Sequence, residues 1–516
     1  MTSQFTPTPA EFRELAKLGN LIPVHTEMIA DAETPVGAFA KLDDGGYTFL
    51  FESVEKSEQT GRYSFVIAGP RVVMESNGRK VSITENGATR SFETSRDPLA
   101  DLEELMGRYR YVTPPGEPPE LRARFAGGAV GFLGYEMVRF FEPTVPAVER
   151  DELGLPESLF VIADTVLIFD HLKRRLRIVV NAHITGDADA AYADAVKTIA
   201  AVAARLARPT QLAPFPITPA PSHAAAESNT TREEYMAMVT RGQEYIRAGD
   251  VFQFVPSQRF STDYTGDPLT LYRALRFVNP SPYMFCMNFP ATAGRTRFSL
   301  VGSSPEVHVR AVNGKIEIRP IAGTRKRGAT PAEDDANAAE LLADPKERAE
   351  HLMLVDLARN DVGRASEFAS VKVNDFMIIE RYSHVMHIVS NVEGRLRPDR
   401  TAYDVMRATF PAGTVSGSPK VRAMQVIAEM EKSRRGVYAG AVGYFGFDGN
   451  SDSCIALRTV VLKDGKACVQ AGAGVVADST PEGEYNETVS KAMGMMAAIA
   501  RAKNAPIKDT PPCCSS

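Results

Sequence analysis

The sequence has few cysteines, and none of them forms a recognisable site. The five cysteines are odd in number and scattered, and no CxxC pair or Cys/His cluster has zinc spacing. Such a set does not predict a disulfide framework, so a reduced, cytosolic setting is expected. The first ten residues lack the cationic and apolar segments of a signal peptide.

Long apolar runs and an excess of one charge are also missing. No stretch approaches the roughly 18–20 apolar residues of a membrane-spanning helix. Lys and Arg total 59 against 64 Asp and Glu, which gives a net charge of −5 and no basic surplus for nucleic acid. With 44% hydrophobic and 24% charged residues, the composition is that of an ordinary globular protein. The sequence therefore predicts neither a membrane nor a nucleic-acid partner.

One composition break organises the chain. Residues 208–229 are rich in Pro, Ala and Ser without apolar periodicity, which predicts a linker. It separates an N-terminal region, 1–207, from a denser region, 230–505, and a flexible tail is expected over 506–516.

Near the C-terminus, Asp-Gly pairs at 448–449 and 464–465 separate strand-like runs and predict tight hairpins. The expected fold class is α/β (α+β), with large antiparallel β-sheets and helices on their outer faces. No GxGxxG follows a strand, so a dinucleotide fold is not expected.

Two helical segments carry paired glutamates. Glu347 and Glu350 are three residues apart, as are Glu484 and Glu487, so each pair shares a helix face, and Lys491 follows Glu487 by one turn. Two solvated helix faces are the simpler interpretation. However, an apolar run follows Glu350, and a carboxylate beside buried residues is costly unless it is paired or metal-bound. Two such helices facing each other could hold Mg²⁺.

A candidate anion-binding patch lies nearer the C-terminus. Arg458 is predicted in the middle of an apolar strand over 454–462, where it would need an anionic partner such as a carboxylate. If the Asp-Gly pairs close hairpins, Arg458 lies across from Tyr438 and near the run Gly472-Ala473-Gly474. Glycines let a ligand approach the backbone amides closely. The pattern therefore predicts one patch built from three strands.

Two further positions have both a structural and a functional interpretation. Gly323-Thr324 follows a strand and offers backbone N–H groups and a hydroxyl to a carboxylate, although a turn with a basic flank is the alternative. His387 could be a general acid or base, although a histidine in an apolar run is more often a core residue.

These segments together resemble the chorismate-utilising enzymes, and most closely the anthranilate synthase component I family. The resemblance spans about Phe12 to Ala502, and its motifs occur in the family's order. The strongest motifs are PSQRF (256–260), NPSPYMF (279–285), VGSSPE (301–306), PIAGTRKRG (320–328), ERAEHLMLVDLARND (347–361), SHVMH (383–387), GTVSGSPKVRAM (413–424) and QAGAGVVADS (470–479). It implies the chorismate-utilising fold, an intergrown sandwich in which the linker need not separate independent bodies.

The resemblance also implies a reaction and its residues. The family makes anthranilate and pyruvate from chorismate and ammonia with Mg²⁺, at the start of tryptophan biosynthesis. Glu350 and Glu487 match its metal ligands. The positions that match its chorismate contacts are Gly323, Thr324, Tyr438, Arg458, Gly472, Ala473 and Gly474. The candidate catalytic positions are His387, Thr324, Lys491, Glu347 and Glu484.

Two positions help to choose among relatives. Gln253 stands where relatives that add water to chorismate carry a lysine base, which disfavours water activation. Ala322 stands where many aminodeoxychorismate synthases carry a nucleophilic lysine. An aminodeoxychorismate synthase component I remains the nearest alternative. A non-catalytic chorismate- or tryptophan-binding regulator is another, against which the two acidic pairs argue.

The resemblance further implies regulation and a partner. Ser53, in Phe51-Glu52-Ser53, matches an L-tryptophan-binding element, and Pro282, Tyr283 and Met284 match its other wall. A proline-rigidified turn is the structural alternative for the second segment. No glutaminase nucleophile motif is visible, so ammonia is expected from a glutamine amidotransferase subunit, component II, in a hetero-tetramer of two large and two small subunits.

Overall fold

The structure is a computed structural model that describes residues 5–53, 61–114, 125–215, 217, 224–382 and 385–505. The expected tail, 506–516, lies outside the described residues. The described α-helices are α1 (Pro9–Leu15), α2 (Pro35–Leu42), α3 (Pro98–Met106), α4 (Val138–Phe141), α5 (Ala188–Leu206), α6 (Arg232–Arg247), α7 (Pro268–Val278), α8 (Pro331–Ala343), α9 (Pro345–Ala365), α10 (Ala402–Thr409), α11 (Lys420–Met430) and α12 (Pro481–Lys503).

The strands fall on both sides of the 208–229 segment. Before it lie β1 (Leu21–Ile29), β2 (Thr48–Glu52), β3 (Tyr63–Ala68), β4 (Val72–Asn77), β5 (Lys80–Glu85), β6 (Ala88–Glu93), β7 (Gly128–Leu133), β8 (Ser158–Ala163), β9 (Thr165–Asp170) and β10 (Arg175–His183). β11 (Glu227–Ser228) begins within it. After it lie β12 (Gln253–Phe254), β13 (Ser257–Asp263), β14 (Tyr283–Phe289), β15 (Phe298–Ser304), β16 (Val307–Val312), β17 (Lys315–Ile318), β18 (Ile321–Lys326), β19 (Lys372–Arg381), β20 (Val385–Arg395), β21 (Gly417–Ser418), β22 (Ala441–Gly446), β23 (Ser451–Ile455), β24 (Thr459–Lys463) and β25 (Lys466–Gly472).

Two large antiparallel sheets contain most of these strands. Sheet I has eleven strands in the order β1-β10-β9-β3-β2-β14-β15-β24-β25-β13-β11. Sheet II has twelve, in the order β18-β20-β17-β16-β23-β22-β7-β8-β4-β5-β6, with β19 also paired to β20. In sheet I, β2 of the N-terminal region pairs with β14, and in sheet II, β7 pairs with β22. Both sheets therefore mix strands from the two regions.

The sheets pack face to face, with helices outside them. One buried cluster joins Phe49 and Phe289 of sheet I to Phe132 and Val442 of sheet II. A second cluster joins sheet I to α1, α2, α5, α7 and α12, and a third joins sheet II to α3, α9, α10 and α11. Each sheet thus buries both faces, which confirms the expected sandwich with outer helices. None of the described helices is long and apolar enough to cross a membrane.

Two of the points at which the chain passes from one sheet to the other are neighbours. β15 of sheet I is followed by β16 of sheet II, and β23 of sheet II by β24 of sheet I. Because β15 pairs with β24 and β16 with β23, the two crossings lie side by side. The N–H of Ser303 donates to the Arg458 carbonyl at 3.1 Å, and the N–H of Ile455 donates to the Glu306 carbonyl at 3.1 Å.

Around these crossings, the two predicted hairpins are confirmed and the predicted strand over 454–462 is wrong. Both hairpins are confirmed, since Gly449 and Gly465 have positive φ and join paired strands. The single strand over 454–462 is wrong, because β23 ends at Ile455 and β24 begins at Thr459. Arg458, with φ +46°, lies between them, where the chain changes sheet.

Candidate active site

The two acidic pairs lie near the starts of α9 and α12. Each helix begins at a proline that follows a capping side chain. The Asp344 carboxylate accepts hydrogen bonds from the N–H groups of Lys346 and Glu347, at 2.9 and 3.2 Å. The Thr480 hydroxyl accepts one from the N–H of Gly483 at 3.2 Å. These caps fix where each helix starts, and the positive ends of the helix dipoles favour carboxylates in the first turns.

Charges from both helices act on the same carboxylates. Burial raises the pKa of Glu350, and the charges of Glu347 and Glu487 raise it further. Burial and the charge of Glu487 likewise raise the pKa of Glu484, whose Oε2 is buried without a hydrogen-bond partner. The predicted pairs therefore face each other, and their charges are incompletely compensated.

This arrangement fits Mg²⁺ held partly by other oxygens. In the described part of the chain, no three His, Cys, Asp or Glu side chains converge closely enough to hold an ion by themselves. Mg²⁺ usually takes one or two protein carboxylates and completes its shell with water and substrate oxygens. The unpartnered Oε2 of Glu484 and the raised pKa of Glu350 fit carboxylates that bind a cation.

Gly323 lies against the first acidic pair. Its φ is +64°, and a Cβ there would lie 3.1 Å from Oε2 of Glu347 and 2.9 Å from Leu341. The positive φ favours glycine, and a Cβ would also make Leu341 and Glu347 shift. Arg325, two residues on, donates to Oε1 of Glu347 at 3.3 Å, so β18 and α9 are tied together at this point.

His387 lies beside the Gly323-Thr324 pair. Its Nδ1 is 2.8 Å from the Gly323 carbonyl oxygen and 3.1 Å from the Thr324 hydroxyl. Burial lowers the pKa of His387, so the imidazole is neutral at pH 7. A carbonyl oxygen can only accept, which assigns the proton to Nδ1 and leaves Nε2 with a free lone pair. The ring is therefore suited to accept a proton.

Arg458 is a half-buried cation at the point where the chain changes sheet. It forms no ion pair with any carboxylate of the described residues, and its guanidinium reaches only Oδ1 of Asn279, at 3.5 Å. Burial lowers the pKa of Arg458, while the charge of Glu306 opposes that shift. A partly desolvated guanidinium without a partner calls for an anionic ligand.

Two contacts join the anion patch to the acidic pairs. Nζ of Lys491 donates to the Gly472 carbonyl at 3.0 Å and pairs with Glu487 at 2.7 Å. Nε2 of Gln253 donates to Oε1 of Glu350 at 3.4 Å, and a Cβ on Gly474 would lie 2.8 Å from the same nitrogen.

The predicted glycine run and Tyr438 also meet here. A Cβ on Gly472 would lie 2.6 Å from the Tyr438 hydroxyl. Ala473, between the two glycines, is fully buried, and its N–H donates to the Pro256 carbonyl at 3.2 Å. The structure thus brings the predicted catalytic, metal and substrate positions into one site.

Glu306 belongs to this site and is missed by the sequence analysis. It is buried, and burial raises its pKa to about 7, although the Thr414 hydroxyl donates to its Oε1 at 2.7 Å. The charges of Lys491 and Arg458 act on it, which places it near the patch. The available signal was a glutamate in VGSSPE between two apolar strands, but only the sheet crossing shows why it is buried.

A second group of predicted residues lines a pocket between the sheets. This interlayer pocket, of about 120 Å³, is lined by Ser53, Pro282, Tyr283 and Met284 among others. The Ser53 hydroxyl oxygen is buried without a hydrogen-bond partner. The Tyr283 hydroxyl donates to Oδ1 of Asp452 at 2.8 Å, so a polar group from sheet II closes one side. Both predicted walls therefore meet in one pocket.

Known proteins resemble this chain over nearly its whole length. A family model described as chorismate binding enzyme matches residues 47–497. Anthranilate synthase component 1 of Acetivibrio thermocellus is 46% identical over 503 residues, covering 96% of this chain and 99% of that protein. The protein of the same name from Aquifex aeolicus (strain VF5) is 46% identical over 490 residues, covering 95% and 97%. The chain belongs to the anthranilate synthase component 1 family of chorismate binding enzymes.

Solved structures agree with this family and its fold. The crystal structure of anthranilate synthase component I from Streptococcus pneumoniae TIGR4 superposes with a TM-score of 0.74 at 36% identity, covering 91% of this chain and 99% of that one. The menaquinone-specific isochorismate synthase MenF of Escherichia coli gives a TM-score of 0.68 at 16% identity, covering 95% and 99%. The second likeness shows the fold alone. The resemblance read from the motifs of this chorismate binding enzyme is thus confirmed.

Proposed function

We propose that this chorismate binding enzyme converts chorismate and ammonia to anthranilate and pyruvate, as component 1 of an anthranilate synthase. The observation that carries the proposal is the Arg458 guanidinium, which forms no ion pair among the described residues and whose charge acts on Glu306 and His387. It lies beside two facing acidic pairs, which Lys491 and Gln253 connect to the glycine run. Chorismate has two carboxylates. One carboxylate of chorismate fits the anion-binding patch, and the other fits a cation held by the acidic pairs.

The residues divide between these two carboxylates. Arg458 and Tyr438 hold one carboxylate beside the Gly472-Ala473-Gly474 run, whose glycines allow the ligand to approach closely, with Gly323 and Thr324 beside the ring. Glu350 and Glu487 would hold Mg²⁺, with Glu347 and Glu484 flanking it. Bound there, Mg²⁺ supplies positive charge to the other carboxylate and to charge developing on the ring.

One side chain of the site can donate a proton, and another can accept one. Glu306, with its pKa raised to about 7, is protonated in part at neutral pH and can donate to the hydroxyl that leaves C4. His387 is neutral with Nε2 free, so it can accept the proton that the ring loses as pyruvate departs. Ammonia, already a nucleophile, attacks C2, and the amide of Gln253 is no base for activating water.

We further propose an amidotransferase partner that supplies the ammonia, because the relatives are named as one component of a synthase. A hetero-tetramer of two large and two small subunits is the assembly we expect.

The test is product analysis with the purified chain. Incubation with chorismate, ammonium and Mg²⁺ should give a fluorescent aromatic amine and equimolar pyruvate, whereas glutamine alone should give neither. Aminodeoxychorismate without pyruvate would favour the aminodeoxychorismate synthase alternative, and binding without turnover would favour a regulator.

Arg458→Lys is expected to lower kcat/KM by about ten- to a hundred-fold, since it loses one charge-assisted hydrogen bond worth about 1.5–3 kcal/mol. Lysine keeps the charge but not the planar fork that grips a carboxylate. Arg397→Lys is the matched control, because Arg397 grips Asp399 with the same fork at the surface. Steady-state kinetics provide the measurement. If both variants behave like the wild type, Arg458 does not bind the substrate.

We also propose that L-tryptophan inhibits by binding the interlayer pocket. The pocket combines apolar walls with an unpartnered Ser53 hydroxyl and the Tyr283–Asp452 pair, which suits an amphipathic aromatic amino acid. Inhibition requires that tryptophan bind the inactive arrangement better than the active one. Chorismate should then weaken tryptophan binding by the same factor that tryptophan weakens chorismate binding.

Ser53→Phe is expected to relieve this inhibition while leaving uninhibited activity nearly unchanged, because the larger ring fills the pocket. Chorismate saturation curves with and without tryptophan provide the measurement. Ser261→Phe, on β13 away from the pocket lining, is the control for a bulky substitution in sheet I. If tryptophan fully inhibits Ser53→Phe, this pocket is not the tryptophan site. If tryptophan does not inhibit the wild type, the proposed regulation is wrong.

A further inference from the structure

A second, larger cavity lies on the helix-covered side of sheet I. This arginine cavity, of about 780 Å³, lies between α2, the end of β9, α7 and the C-terminal end of α12. Apolar side chains, among them Leu212, Phe215 and Phe277, form part of its wall. Its five arginines are Arg174, Arg175, Arg273, Arg276 and Arg501.

The acidic groups of the cavity do not neutralise these arginines. Three carboxylates line it, but Glu33 pairs with Lys41 and Asp170 pairs with Arg62 at 2.8 Å. Asp31 is the third. Arg174, Arg273 and Arg501 form no ion pair with any carboxylate in the described part of the chain. The cavity therefore carries surplus positive charge.

Two of these arginines are held in place by aromatic rings. The guanidinium of Arg273 lies 5.4 Å from the centre of the Phe215 ring, and that of Arg501 lies 4.9 Å from the centre of the Phe277 ring. Nε of Arg501 is buried without a hydrogen-bond partner. Nη2 of Arg273 donates to the Ala213 carbonyl at 2.9 Å. Stacking pre-orients both guanidinium groups, and their remaining N–H groups can bind phosphate or carboxylate oxygens.

One ion pair links the arginine cavity to the interlayer pocket. Arg276, which lines the cavity, lies 3.4 Å from Oε1 of Glu52, and the Tyr272 hydroxyl donates to Oε2 of Glu52 at 2.5 Å. Glu52 also lines the interlayer pocket and directly precedes Ser53. An anion that attracts Arg276 therefore competes with Glu52 for the same guanidinium.

We propose that the arginine cavity binds a small organic polyanion, with phosphate or carboxylate groups beside an apolar part, and that this binding weakens the hold of the interlayer pocket on tryptophan. Withdrawal of Arg276 leaves the Glu52 end of β2 less firmly held, so the pocket beside it is less well formed. The coupling rests on the proposed tryptophan site, whereas the anion site does not.

Calorimetric titration of the full chain with inorganic pyrophosphate tests the anion site, in Mg²⁺-free buffer at constant ionic strength, with citrate as a carboxylate probe. Arg273→Gln and Arg501→Lys should each bind about ten-fold more weakly or worse, the loss expected for one charge-assisted hydrogen bond. Arg13→Gln, which removes a charge at an exposed ion pair on α1, should bind like the wild type. Absence of binding to both probes, or equal binding by all variants, would overturn the anion site.

Tryptophan titrations with and without saturating pyrophosphate test the coupling. The tryptophan dissociation constant of the wild type should rise about five-fold or more, within the usual range of coupling between sites, and Arg276→Gln should show no such rise. An unchanged constant with pyrophosphate bound would overturn the coupling. A wild type that binds pyrophosphate but no tryptophan would contradict the proposed regulation and leave the calorimetry to decide the anion site.

Discussion

Glu350→Gln and Glu487→Gln are each expected to lower kcat by about a thousand-fold or more at fixed Mg²⁺. Each substitution replaces an anionic ligand by a neutral amide, and the stabilisation that a divalent cation gives to a transition state amounts to several kcal/mol. The Glu350 variant should unfold at the same temperature or higher, because burial raises the pKa of Glu350 and makes its ionised form unfavourable in the folded chain at pH 7. The Glu350 variant should therefore lose activity without losing stability.

Matched controls lie on the same two helices. Asp356→Asn on α9 and Glu482→Gln on α12 remove exposed carboxylates that pair with Arg359 and Arg232. Both should keep normal activity and Mg²⁺ dependence, measured as rate against Mg²⁺ concentration together with thermal unfolding. Near-normal turnover of Glu350→Gln or Glu487→Gln at low Mg²⁺ would show that the acidic pairs are only solvated helix faces.

Glu306→Gln is expected to lower kcat by about 10²–10⁴-fold, the usual contribution of a general acid. The protonated carboxyl is the donor, and burial raises its pKa to about 7, so kcat of the wild type should fall as pH rises through about 7. The glutamine variant should lose this limb of the pH profile, because an amide has no proton to give.

Thr414→Val sharpens this test without removing the acid. The Thr414 hydroxyl donates to Oε1 of Glu306 and thereby favours the ionised form. Its loss should move the falling limb of the kcat profile to higher pH, with the maximal rate largely kept. If the falling limb of the kcat profile stays at the same pH in Thr414→Val and persists in Glu306→Gln, it reports the titration of another group.

Local signals in the sequence predicted the hairpins well. Asp-Gly at 448–449 and 464–465 provides the positive φ that tight turns require, and both turns join paired strands. The Thr231–Glu234 capping box at the start of α6 is another structure that depends on nearby residues alone. In each case the interactions that decide the structure lie within a few residues of one another.

Arg458 shows where such local reasoning ends. Its neighbours have strand character, so the sequence predicted a continuous strand, yet the chain leaves sheet II at Ile455 and enters sheet I at Thr459. That break depends on β15 and β16, about 150 residues earlier in the chain, making the same passage beside it. Glu306 was missed for the same reason, since its burial depends on the neighbouring crossing and not on its own motif.

The pairing of β2 with β14 and of β7 with β22 has a consequence for how the chain can be divided. A fragment cut at the 208–229 segment would expose the long edges of β14 and β22, which are the apolar strands YMFCMNF and AVGYFG. Bare apolar edges of this kind recruit other chains and lead to aggregation. The region that carries the acidic pairs therefore cannot serve as a transplantable module, and a split version of the protein should regain solubility only when both pieces are produced together.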